Sequence, residues 1–161
     1  MKAGKIKDIL KLIVSLIACQ CAGLIGSIFT APAIPTWYAA LEKPPFNPPN
    51  WLFAPAWVTL YLLMGIAAFL IWRKGLGEAG VKSALVIFLA QLVLNALWSV
   101  VFFGLKSPIA GAIVIVLLWV AILLTILRFF RLSIAAGSLL IPYILWVSFA
   151  AALNISIWIL N

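Results

Sequence analysis

Three sets of residues have the types and spacing to build a site. Gln91, Asn95, Trp98 with Ser99, and Phe102 recur at intervals of three and four, so on a helix they share one face. Tyr143, Trp146, Ala150 and Asn154 do the same, and Trp57, Tyr61, Met64 and Ala68 form a third stripe. The chemistry they offer is recognition: indole and phenol rings present flat apolar faces, and a few amides and hydroxyls add directed hydrogen bonds. Each residue also has a plainer use. Gln91, Asn95 and Asn154 can bond between helices, and tryptophans collect at membrane interfaces. A shared pocket lined by all three stripes is the reading that explains them together.

The missing residue types bound this chemistry. The chain has no His, and its only acids are Asp8, Glu42 and Glu78. A Ser or Cys nucleophile therefore has no imidazole base, and a metal has no ordinary ligand set. A proton-coupled carrier would lack a titratable group in the membrane. Cys19 and Cys21 lie two apart in an apolar run, where they point to different faces of a helix. They read as small packing residues, not as a disulfide or a metal pair.

The elements that must position these stripes are membrane spans. Of 161 residues 67% are hydrophobic and 9% charged, with a mean hydropathy of +1.28, more apolar surface than a soluble domain of this size can hide. A helix needs about 20 apolar residues to cross the hydrocarbon core. That length places spans at about 9–30, 51–72, 83–103, 108–128 and 138–160. The expected fold is an all-α integral membrane protein, a bundle of five transmembrane helices forming one domain over 1–161. The first apolar run is too long for a signal-peptide core and has no small-x-small site in a polar flank.

Within the first span, Cys19, Gly23 and Ser27 beside Ala22 and Gly26 let a neighbouring helix approach closely. The loop of about 31–50 comes next. The stretch Trp37 to Trp57 gathers three of the eight Trp and five of the nine Pro and cannot be one continuous helix. Ser107 followed by Pro108 reads as an N-cap and first helical residue, which makes spans three and four antiparallel neighbours. Pro142 is expected to bend span five. Trp57 and Trp98 are expected near the outer ends of their spans, and Trp146 deeper.

The formal charge of +8 is distributed as topology requires rather than as a nucleic-acid patch. Lys2, Lys5, Lys7, Lys11, Arg73, Lys74, Lys82, Arg128 and Arg131 fall on one side, and only Lys43 and Lys106 on the other. By the positive-inside rule the N-terminus is inside and the C-terminus outside. No nucleic-acid partner is expected.

These residues carry a resemblance. The run W-Y-x-x-L-x-K-P at Trp37 to Pro44, Pro48-Pro49, Trp57 with Tyr61, Q-x-x-x-N-x-x-W-S from Gln91 to Ser99, and L-L-x-P-Y-x-x-W-x-x-F-A-x-x-L-N from Leu139 to Asn154 are similar to the TspO/MBR family. The match extends over almost the whole chain from Trp37 onward. The resemblance implies a five-helix bundle whose first long loop lids a pocket for porphyrins such as protoporphyrin IX and haem, and for benzodiazepine-site ligands. The ligand contacts it implies are Tyr38, Pro44, Trp57, Tyr61, Asn95, Trp98, Trp146 and Ala150, to which the stripes add Gln91, Phe102 and Tyr143. Lys43 would either meet a propionate or pair with Glu42 or a lipid phosphate.

Function follows from the same resemblance as an expectation: a membrane receptor or sensor for tetrapyrroles, in their regulation or transport. The alternative is a light-dependent, oxidative porphyrin-degrading enzyme in which Trp57 and Trp146 serve the bound pigment. A carrier would have to be passive or partner-driven. No cofactor is required, the porphyrin being ligand or substrate, and without His recognition rests on the macrocycle rather than its metal. Membrane lipid and a second copy in a homodimer are the further partners implied, with Ala84 and Ala90 small enough for close packing on span three. Sterol binding is not expected, because the family's sterol motif needs a basic residue late in span five and none follows Arg131.

Overall fold

The computed structural model describes residues 2–161, without the side chains of Lys2 and Ala3. The described residues contain no strand. Lys2, counted above among the basic side chains, thus lies outside the described ones. Six helices follow in order: α1 Lys2–Ala33, α2 Phe53–Trp72, α3 Val81–Ser99, α4 Pro108–Leu132, α5 Ile134–Leu139 and α6 Ile141–Leu160. They make five stretches long and apolar enough to cross a membrane, because α5 and α6 together form the fifth, Ile134–Leu160. The neighbours around the bundle are α1, α2, the α5–α6 pair, α4 and α3, which closes on α1.

Small residues set the closest approaches, as the stripe on α1 requires. A Cβ on Gly23 would lie 2.5 Å from the Tyr61 ring, and one on Gly65 would lie 3.0 Å from the Leu16 backbone. The α1–α2 seam therefore depends on glycine on both helices. Cys19 is buried and Cys21 exposed, both as free thiols.

One end of the bundle gathers the basic side chains. Lys11 Nζ donates to Trp72 O (3.3 Å), and Arg128 Nη1 to Ser83 Oγ (3.3 Å), tying the start of α1 to the end of α2 and the end of α4 to the start of α3. Ser107 caps α4 by accepting from Ala110 N (3.3 Å), and α3 and α4 pack as antiparallel neighbours.

Four expectations need correcting. The helix of the first span does not stop near residue 30. It continues through a wide π-turn, Ile34–Tyr38, to Ala40, so the loop is 41–49 rather than 31–50. Pro35 occupies the first turn of that π segment, where a missing N–H costs least, and Thr36 Oγ1 donates to Pro32 O (2.7 Å). Pro142 does not bend a helix; it begins one, following a break at Leu140. The fifth span starts at Ile134, so Trp146 is roughly 18 Å along it by helical rise and level with Trp57, not deeper. Finally, Ala84 is wholly buried within the bundle and cannot meet a second copy, whereas Ala90 is exposed.

Candidate functional site

The three stripes converge in the half of the bundle that carries the 41–49 loop. Trp57 is their hub: it stacks on Tyr61 (centroids 5.6 Å apart, planes at 28°) and meets Trp98 at 6.4 Å, Tyr143 at 6.4 Å and Trp146 at 6.5 Å. Trp98 stacks on Phe102 at 5.4 Å. These aromatic rings are held by hydrogen bonds at only some points. Trp98 Nε1 donates to Asn154 Oδ1 (3.0 Å), whose Nδ2 donates to Pro108 O (2.7 Å), fixing that indole against α4 and α6.

Beneath the hub lies a buried polar chain. Tyr61 Oη donates to Asn95 Oδ1, Asn95 Nδ2 to Tyr143 Oη (2.8 Å), and Tyr143 Oη to Gln91 Oε1 (2.7 Å). It links α2, α3 and α6, and it satisfies groups that would otherwise be stranded in an apolar interior. Among the described side chains two buried donors keep no partner, Gln91 Nε2 and Trp146 Nε1.

Two cavities flank the hub. An inner one of about 20 Å³ is lined by Tyr38, Phe53, Trp57, Trp98, Phe102, Phe103, Trp146, Phe149, Ala150, Leu153, Asn154 and Ile157. The other, about 250 Å³, is a lateral cleft between α1 and α2 with α3 behind it, reached by Gln20, Gly23, Ser27, Thr30, Ala54, Trp57, Tyr61 and Ser99 among others.

The loop roofs the inner cavity. Tyr38 Oη donates to Asn47 Oδ1 (2.6 Å), and Phe46 packs on Phe149 (6.2 Å). Asn161 bonds Glu42 twice, accepting from its N–H and donating to its C=O, both at 3.0 Å. Lys43 turns back: Nζ donates to Leu41 O (2.7 Å) and Ala39 O (3.2 Å) and lies 5.2 Å from the Tyr38 ring centre. It caps the carbonyl end of the first helix, as a cation does well, and forms no ion pair with Glu42 among the described residues.

The expected site residues therefore divide by position. Tyr38, Trp57, Trp98, Phe102, Trp146 and Ala150 line the inner cavity, and Tyr61 with Trp57 lines the cleft. Gln91, Asn95 and Tyr143 form the hydrogen-bonded floor and line neither. Pro44 is buried in the loop, away from both cavities. Phe53, Phe103, Phe149 and Asn154 line the inner cavity without having been singled out as contacts. Phe53 sits one turn before Trp57 and Phe149 one turn after Trp146, so continuing each stripe by four or three residues finds them. Among all described His, Cys, Asp and Glu no group of three could hold a metal.

The chain is similar to known proteins over nearly its whole length. The TspO/MBR family matches residues 15–159. The chain is 48% identical to the tryptophan-rich protein TspO of Archaeoglobus fulgidus over 96% of its own length and 99% of that protein. It is 37% identical to the tryptophan-rich sensory protein of Cereibacter sphaeroides, over 91% of this chain and 88% of that one. Identity to the human translocator protein is 35%, over 83% of this chain and 80% of that one.

Proposed function

The chain belongs to the TspO/MBR family, and from that premise we propose that it is a membrane receptor for porphyrin-class ligands, bound in the aromatic cavity beneath the 41–49 loop. The observation that carries this reading is Trp146: its Nε1–H is buried at the cavity wall with no acceptor, in contact with Trp57 and Phe53, ready to bond a ligand atom. Indole faces on three helices suit a flat macrocycle. The names of the relatives, sensory protein and translocator protein, agree with a receptor role or one in passing the ligand on.

A cavity of about 20 Å³ is far below the several hundred Å³ of ordinary ligand pockets, so binding requires the aromatic walls to part. Lys43 would have to leave two carbonyls to reach a propionate, which argues for recognition by the rings. The test is fluorescence. Protoporphyrin IX added in the dark to the purified protein should quench Trp emission saturably, and Trp146→Phe, which keeps a ring and loses the N–H, should weaken binding by about 1 kcal/mol, roughly fivefold. Quenching that never saturates removes the proposal.

A second reading, light-dependent oxidative breakdown of the bound porphyrin by dioxygen, is favoured by one feature: Trp57 lies 6.4 Å from Trp98 and 6.5 Å from Trp146, so a bound pigment would touch several oxidisable indoles. Under illumination in air a defined product should then form with the wild type and be lost with Trp57→Phe and Trp146→Phe. Bleaching equal to that of free pigment in detergent excludes it.

A further inference from the structure

The roof and the side wall of the inner cavity are built differently. The roof is fastened by polar bonds: Tyr38 to Asn47, Asn161 twice to Glu42, and Lys43 to two carbonyls. The side wall towards the lateral cleft is a single layer of aromatic side chains, since Phe53, Trp57, Trp98 and Phe103 line both cavities. Trp98 in that layer is pinned to Asn154, but Phe53 has no polar atom and Trp57 makes no hydrogen bond among the described residues. Opening the roof breaks several hydrogen bonds, whereas swinging Phe53 and Trp57 out of the wall breaks none and gives up aromatic contacts that a flat ligand can replace.

The cleft on the far side of this wall faces outward. α1 and α2 touch at Gly23 and Tyr61, and Gln20 Nε2 donates across the seam to Val58 O (3.2 Å). Beyond those contacts Leu24 and Val58, 64% and 58% exposed, stand at its margin, where a membrane-spanning pair of helices meets acyl chains. Small residues, Gly26, Ala31 and Ala54, keep the space of about 250 Å³ open.

We infer that the cleft between α1 and α2 is the passage by which a porphyrin-class ligand enters the aromatic cavity sideways from the lipid, with Phe53 and Trp57 as its gate. The inference rests on the proposed porphyrin binding. It makes the 41–49 loop a fixed roof, and it fits a ligand that already partitions into the bilayer.

The experiment compares Ala54→Phe and Ala31→Phe, each of which fills the cleft from a different helix without lining the inner cavity, with Asn161→Ala, which frees the roof. Stopped-flow Trp quenching by protoporphyrin IX in proteoliposomes should show association and dissociation both slowed about fivefold or more in the filled variants, with Kd little changed, because a passage affects rates and not end states. Asn161→Ala should leave both rates as in the wild type. Unaltered rates in both filled variants, or acceleration by Asn161→Ala alone, overturns the inference. If the wild type does not bind protoporphyrin IX, the receptor reading fails by itself, and the passage is judged in vesicles of phosphatidylcholine brominated along its acyl chains. Bromine should then quench the wild type more than Ala54→Phe, and equal quenching overturns the inference.

Discussion

Tyr143 holds the middle of the buried polar chain, accepting from Asn95 and donating to Gln91, while Tyr61 stands at its end. Tyr143→Phe therefore strands a donor and an acceptor at once, whereas Tyr61→Phe strands only the Asn95 oxygen. Hydrogen bonds between membrane helices average below 1 kcal/mol, but buried groups left unpaired cost more. Tyr143→Phe should lower stability by about 1–2 kcal/mol and by more than Tyr61→Phe, measured by denaturant titration of helicity in detergent. The reverse order would mean that the chain is not the unit described here. Spacing made Gln91 and Asn95 legible as one face of α3 and put Tyr143 on a stripe of its own on α6, and the two stripes do meet. It could not tell floor from wall, because a helical period fixes direction around the axis and not height along it relative to a cavity. Phe103 was hidden for a related reason. The wide turn Val100–Gly104 departs from the 3.6-residue period and buries both Phe102 and Phe103.

At the scale of elements, the seam between α1 and α2 and the loop above them carry the sharpest consequences. Gly23→Ala would place a methyl 2.5 Å from the Tyr61 ring, so either the helices separate or Tyr61 gives up Asn95. Overpacking of this kind costs about 1–3 kcal/mol. A loss within that range, with Gly4→Ala as a control in open surroundings, is the expected result in the same titration. For the loop, Asn161→Ala removes two bonds to Glu42 and should speed amide exchange over residues 41–47 severalfold without changing it in α2 or α3. Uniform exchange rates across the two proteins would show that the Asn161 pair does not hold the loop. The five spans themselves were readable from length and hydropathy alone, since each apolar run has one way to satisfy its backbone in lipid. Their ends were not. The length of the apolar run ended the first helix near residue 30, yet the helix carries on past Pro32 and Pro35, because a proline near a helix end removes one bond that a π-turn and the Thr36 hydroxyl help offset. The fifth span begins at Ile134, about one turn before the expected start, which sets Trp146 farther from its inner end.

For the whole molecule the deciding feature is polarity from end to end. Lys5, Lys7 and Lys11 on α1, Arg73 and Lys74 just after α2, Lys82 on α3 and Arg128 and Arg131 on α4 lie at or near one end, while the roof, Lys106 and Asn161 mark the other. Eight cations against Lys43 and Lys106 is a bias from which, by the positive-inside rule, we propose that the basic end faces inside and the aromatic cavity lies under the opposite surface. On that orientation the proposed passage between α1 and α2 would open into the outer leaflet, so sidedness would bear on which pool of ligand the protein samples. With Cys19 and Cys21 replaced by Ala, Phe46→Cys in the loop and Glu78→Cys in the basic turn offer reporters on exposed residues at the two ends. In intact cells a membrane-impermeant maleimide should label Phe46→Cys and should reach Glu78→Cys only after the cells are opened. The opposite pattern would invert the molecule and place the cavity on the cytoplasmic side, and equal labelling of both in intact cells would mean that charge does not fix a single orientation.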